Sequence, residues 1–377
     1  MTDRAKTLAR LPPPGPGVVR RRLASAVGAA AAWVARVGAL PVLALALVIA
    51  ILGAAAVGSV PIDPLKVAGI LLDQIGVFHV PHTWSYADQV ILLDIRLPRV
   101  LGAALVGAAL AASGTLFQAL LRNPLADPLL LGTSSGAALG ATIAFLLPAA
   151  LFGIGFGLVA VLAFGGALAA VALVYLLATR RGQTPLVTLL LAGVAVGALL
   201  AACQTLLIIL NDRLALHIVS LFLWLAGGVT VDDWGQLGVV ALLIVLGVAG
   251  AIALAPTLDA FALGEEMAGY LGVQVERRKL LVVGTAALLV AAAVSISGLV
   301  GFVGLVAPHA CRLLLGPRHR LLVPASALAG ATFVVIADLL ARVLAAPSEL
   351  PLGVITSLVG GPFFLYLLRQ AGQQYRW

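Results

Sequence analysis

Charge is scarce in this chain. Only 10% of its 377 residues are Asp, Glu, Lys or Arg, against roughly 25% in soluble proteins. So few charges cannot cover a water-soluble domain of this size, which excludes a soluble enzyme. Lysine is confined to Lys6, Lys66 and Lys279. None follows a G-x-x-x-x-G pattern, so the chain has no phosphate-cradling Walker loop, and it has no HExxH or CxxC. The two cysteines, Cys203 and Cys311, stand alone in apolar stretches without metal-type spacing. That excludes a disulfide scaffold and reads as packing. Ionisable groups inside the apolar runs are His309, Arg312, Asp338 and Arg342. Ion-coupled carriers use several intramembrane carboxylates as relays, and here Asp338 is alone.

Apolar length is abundant. Hydrophobic residues make up 62% of the chain and the mean hydropathy is +1.14, so lipid is the solvent for most of it. The net charge of +8 does not mark a nucleic-acid binder, because the basic residues lie between apolar blocks and form no single patch. Uncharged runs cover 37–62, 100–121, 128–179, 182–211, 234–258, 280–311, 321–337 and 350–368. A bilayer core of about 30 Å takes ~20 residues per helix. The chain thus reads as all-α and polytopic, with about ten transmembrane helices near 39–60, 97–121, 130–148, 153–178, 186–210, 235–256, 280–298, 300–316, 321–344 and 352–369. A tight turn near 147–153 divides the longest run. The Gly-rich start of the eighth span suggests a broken or re-entrant segment, and 214–231 a short interfacial helix. Residues 1–38 form a basic extension ahead of the 39–377 membrane domain. The 26-residue uncharged run after Arg36 is too long for a signal-peptide core and reads as an uncleaved first span.

Ten spans with both termini in the cytoplasm leave only Lys66, Arg96, Arg99, Arg213 and Arg342 outside and put the other 18 of the 23 basic residues inside. That asymmetry fits the positive-inside rule and a plasma or inner membrane. Helix contacts are expected to use the 41 glycines, which let backbones approach closely. Ser113-Gly114 precedes Pro124 and Gly132 by ten and eighteen residues, and Ser297-Gly298 precedes Pro308 and Gly316 by the same intervals. The spacing hints at an inverted repeat.

Two polar stretches at membrane edges have the look of docking surfaces. The inner one, LDAFALGEEMAGYLGVQVERRK (258–279), pairs apolar residues with Glu265-Glu266 and turns at Gly264 and Gly272; it is either a solvated loop helix or a helix that plugs into a partner. The outer one has Arg96, Arg99 and Arg342, which are either snorkelling anchors or grips for a partner's carboxylates. Asp338 and Arg342 share a helix face at i,i+4, a pairing equally compatible with structure and function. His79 and His82 in the 62–95 loop lack ligand spacing, and no metal or cofactor site is expected.

At these residues the sequence resembles the permease subunits of type II ABC importers for iron–siderophore, haem and cobalamin. The resemblance rests on IRLPRVLGAALVGAALAASGTLFQALLRNPLADPLLLGTSSGA (95–137), TLLLAGVAVGALLAA (188–202), LGEEMAGYLGV (263–273), SGLVGFVGLVAPHACRLLLGPRHR (297–320) and ADLLARVLAAPSELPLGVITSLVGGPFFLYLLR (337–369), most of the chain beyond residue 90. It implies a ten-helix permease fold acting as a homodimer. A cytoplasmic ATPase dimer would drive it, and an extracytoplasmic binding protein would deliver a metal chelate. By position, Leu263, Gly264, Glu265, Glu266, Met267, Leu271 and Gly272 would seat in the ATPase. Arg96, Arg99 and Arg342 would pair with glutamates of the binding protein. Gln183 and Thr184 occupy the place of the inner gate, though they depart from the family's small-hydroxyl pattern. The fifth and tenth spans would line the pathway. Arg122, Asn123, Pro124 and Asp127 match a turn motif in which Asn and Asp cap the next helix and Pro sets its start. The function implied is ferric-siderophore import, with haem or cobalamin as the alternative cargo and no enzymatic activity of the chain's own. Two other classes are open to test: a carrier coupled to ions through Asp338, and a membrane enzyme using His309 with Asp338.

Overall fold

The computed structural model describes residues 38–58, 62–75, 81–147 and 157–374. The basic extension before Gly38, the turn expected around 147–153 beyond its first residue, and His79 lie outside them. Every expected span is a helix. They are α1 (Ala39–Ala56), α3 (Tyr86–Leu120), α4 (Thr133–Leu146), α5 (Leu158–Ala178), α6 (Leu186–Leu210), α8 (Trp234–Ala253), α11 (Val275–Ser297), α12 (Val303–Leu315), α13 (His319–Val343) and α14 (Leu352–Gln374). Between them lie α2 (Pro64–Ile75), α7 (Asp212–Leu225), α9 (Ala255–Ala262) and α10 (Glu265–Tyr270). Among the described residues, seven helices are long and apolar enough to cross a bilayer unaided, and α4, α12 and the apolar part of α14 are shorter. At 1.5 Å per residue, the 13 residues of α12 reach about 20 Å. The eighth span is therefore completed by the non-helical stretch 298–302, as its glycines suggest.

Helix α3 is the hub. It packs against α13, α11, α12 and α8, and glycine brings these backbones together. A β-carbon on Gly107 would overlap the Gly330 carbonyl, and one on Gly114 the Gly304 carbonyl. Helices α4 and α5 meet the same way through Gly136 and Gly166. Lipid gives helices no hydrophobic reason to associate, so close van der Waals packing does this work. Gly114 lies mid-helix whereas Gly298 ends one, so the matched spacing is not a match in structure.

Broken helix ends inside lipid need partners for their backbone groups. The strand-like segment after α7 provides them. Gly228 and Thr230 donate to the carbonyls of Ser297 and Ile296 at the end of α11, both at 2.9 Å. Gly227 and Ala226 in turn accept from Leu352 and Gly353 at the start of α14, at 2.8 and 3.1 Å. Cys311 is buried as expected, but Cys203 is exposed on α6 and does not pack within this chain.

Candidate functional site

The functional groups gather at the two ends of the bundle. At one end, where the sequence places the extracytoplasmic side, Asp338 is 1% exposed and holds two arginines. Arg342, one turn along α13, places Nε 3.0 Å from Oδ2, and Arg99 of α3 places Nη2 3.0 Å from Oδ1. Arg99 Nη1 also meets Glu349 Oε2 at 2.8 Å. The other ends of these side chains explain the crowding of positive charge. An α-helix leaves its last four carbonyls unpaired. At the end of α1 these are served by guanidiniums: Arg342 donates to Ala54 at 3.1 Å and Val57 at 3.4 Å, and Arg96 to Ala55 and Ala56, both at 3.1 Å. A β-carbon on Gly58 would strike the Arg96 guanidinium. Of the three arginines expected to face a partner, Arg96 and Arg342 are therefore turned inward. Arg99 remains 23% exposed at its side chain. It lines a cavity of about 560 Å³ together with Trp224, Asp232, Gln236 and Glu349.

At the opposite end, α10 is a six-residue helix between two glycines in conformations that favour glycine. Gly264 has φ +107° and Gly272 φ +83°. Val273 N–H donates to Ala268 O at 3.0 Å and Gly272 N–H to Gly269 O at 2.9 Å, the paired bonds of a Schellman cap. Ala268 pins α10 to the body, while Leu263, Met267, Leu271 and Tyr270 face out, Tyr270 being 85% exposed. Glu266 is exposed beside them. Glu265 is turned the other way, its Oε2 2.6 Å from Lys279 Nζ. Lys279, 2% exposed, also meets Glu276 Oε1 at 3.0 Å and donates to the Thr184 carbonyl at 3.0 Å. Thr184 N–H donates to Glu276 Oε2 at 2.9 Å.

Thr184 and Gln183 close a tight hairpin. Arg180 and Gln183 exchange backbone bonds of 2.9 and 3.0 Å, and Arg181 and Gly182 turn the chain with φ +53° and +76°, the sign pattern of a type I′ turn. Gln183 is exposed and Thr184 buried, its hydroxyl 3.0 Å from that of Thr179.

The turn motif after α3 adjoins α10. The Arg122 guanidinium lies 3.6 Å from where a β-carbon on Gly264 would stand. Asn123 Oδ1 accepts from Leu125 N–H at 2.9 Å and Asp127 Oδ1 from Leu129 N–H at 2.9 Å. Burial pushes the Asp127 carboxyl up from its ordinary range, and the Leu129 bond opposes that shift. Asp127 thus caps, as expected, but what it caps is a short 3₁₀ turn, Pro128–Leu131. The proline that sets the start is Pro128; Pro124 sits in the turn before it.

Sequence reasoning missed Lys279, Glu276, Tyr270 and Glu349. The i,i+3 spacing of Glu276 and Lys279 was a readable signal. The partners Glu265 and Thr184, fourteen and ninety-five residues from Lys279, were not.

The comparisons agree with this architecture. The model of the FecCD transport family matches residues 44–370. The cobalamin import system permease protein BtuC of Halobacterium salinarum is 47% identical over 292 residues, 78% of this chain and 76% of that one. The hemin transport system permease protein HmuU of Yersinia pestis is 44% identical over 292 residues, 75% and 84% of the two chains. A solved chain, described as an inward-facing metal-chelate type ABC transporter, superposes with a TM-score of 0.73 at 30% identity, covering 88% of this chain and 99% of its own. With seven long apolar helices and three shorter ones among its described residues and a family match over most of its length, the chain belongs to the FecCD transport family.

Proposed function

We propose that this chain is the permease subunit of an ATP-driven importer for a metal chelate, with a ferric siderophore as cargo. Two copies form the conduit, a separate ATPase dimer on the inner face drives it, and an extracytoplasmic binding protein delivers the chelate. The observation that carries this reading is α10. Four large side chains project at one end of a membrane body, Met267 and Tyr270 from this short helix and Leu263 and Leu271 from the residues that flank it. An exposed apolar cluster of this kind marks a contact surface, and a chain without a nucleotide loop fits a motor carried on another chain.

At the outer end, Arg99 is the group available to a partner carboxylate, exchanging Glu349 for it. The pathway runs along the apolar exposed faces of α6 and α14, which carry Val187, Leu191, Val194, Val354 and Leu358. Weakly polar walls suit a bulky chelate, because a tight site inside the conduit would hinder release. Rigid-body movement of packed helices switches access between sides.

The cargo test is uptake by proteoliposomes that hold the permease, its ATPase and its binding protein, offered ferric siderophore, haem and cobalamin in turn. ATP-dependent accumulation of the siderophore supports the reading. Accumulation of only haem or cobalamin replaces the cargo, and accumulation of none of the three contradicts the reading.

A further inference from the structure

A force applied to α10 needs a physical path to the hairpin beside it. The main chain does not supply it directly, because α6 to α9 lie between the hairpin and α10 in sequence and α10 is bounded by Gly264 and Gly272, both at positive φ. The buried ammonium of Lys279 bridges the gap. It forms ion pairs with Glu265 of α10 at 2.6 Å and with Glu276 in the first turn of α11 at 3.0 Å, and it donates hydrogen bonds to Glu276 and to the Thr184 carbonyl, both at 3.0 Å. Glu276 closes the loop by accepting from Thr184 N–H at 2.9 Å. A lysine has three N–H groups and no acceptor, and all three of these partners present oxygens to it. A buried ammonium is held firmly only when paired and fully hydrogen-bonded. Three chain segments thus meet at one nitrogen.

We propose that Lys279 is the positioning residue that transmits movement of the ATPase-docking helix α10 to the 179–185 hairpin, so that the gate follows the motor. The proposal rests on the docking and gate assignments above. It goes beyond them in naming the joint. When the ATPase shifts α10, Glu265 carries the ammonium, and the ammonium carries the Thr184 main chain.

The test uses the complete complex of permease, ATPase and binding protein in proteoliposomes, reading cargo moved per ATP hydrolysed. Lys279→Met is expected to retain the ATPase on purification and to keep hydrolysing ATP, while cargo per ATP falls about tenfold, a typical coupling magnitude. Lys279→Arg, which keeps charge and donors, restores most of the ratio. A joint that merely staples the fold would lower the melting temperature of Lys279→Met but leave cargo per ATP unchanged in the surviving complexes, and that result overturns the proposal. If Lys279→Met does not assemble, Glu265→Gln decides, because Glu265 is partly exposed and its loss spares the Thr184 bond. A normal ratio in Glu265→Gln also overturns it. A wild-type permease that fails to retain the ATPase overturns the docking reading and this proposal together.

Discussion

Asp338 Oδ2 and Arg342 Nε stand 3.0 Å apart on successive turns of α13, and the arginine continues to the Ala54 carbonyl at the end of α1. The pair is the centre of a structural brace. One carboxylate is shared by the Arg99 and Arg342 guanidiniums, and Arg342, with Arg96, closes off the end of α1. Replacing one partner strands a buried charge, which costs ~3–5 kcal/mol. Asp338→Asn is therefore expected to lower the melting temperature of the purified permease markedly. Folded Asp338→Asn complexes should still import with ATP. Loss of uptake in well-folded protein would instead make Asp338 a relay.

Arg96 and Arg99 are expected to separate by role. Arg99→Gln should weaken capture of the binding protein, and the difference from wild type should shrink as salt rises, since exposed charges are screened over about 10 Å at 0.1 M. Arg96→Gln should leave the affinity of folded protein unchanged and reduce the yield of folded protein, because it uncaps α1. Titration of labelled binding protein at two ionic strengths checks both. Equal weakening by both variants would mean that Arg96 also reaches the partner.

The exposed face of α10 gives a third expectation. Leu263→Asp with Met267→Asp should abolish ATPase co-purification while the permease keeps its melting temperature, since neither side chain is part of the core. Retention of the ATPase would place the docking surface elsewhere.

Close backbone contact predicts a contrast between glycines. Gly114→Ala forces α3 away from α12 at the Gly304 carbonyl and should destabilise by at least the ~1–3 kcal/mol of an overpacked core. Gly284→Ala on α11 meets nothing within 4 Å and should be neutral or stabilising by about 0.5–1 kcal/mol through helix propensity. Melting of the two variants side by side checks the pair. Equal effects would contradict the packing account.

Spans were legible in the sequence because lipid imposes one rule, that ~20 apolar residues cross it. Their ends were less so, since polar residues can extend a helix beyond the bilayer. Helix α11 begins at Val275 and passes through Glu276, Arg277, Arg278 and Lys279, where an uncharged-run reading starts at 280. Helix α3 begins at Tyr86, and its π-helical turn Ile91–Arg96 carries Arg96 inward. The short α2 and its surroundings looked like loop for the same reason. At the site, α10 was legible from its two glycines and its apolar residues. The direction of Glu265 was not, because it depends on Lys279, which only folding brings near. The inward turn of Arg96 and Arg342 was hidden likewise: helix-end carbonyls are main-chain groups and leave no trace in residue identity.

The central claim is that this permease conducts but does not drive. The most direct measurement is cargo accumulation in proteoliposomes with the permease alone on an ion gradient, and with ATPase, binding protein and ATP when that gradient is collapsed by an ionophore. The account predicts no uphill movement in the first and undiminished accumulation in the second. Uphill movement by the permease alone, or accumulation that dies with the ionophore, would contradict it.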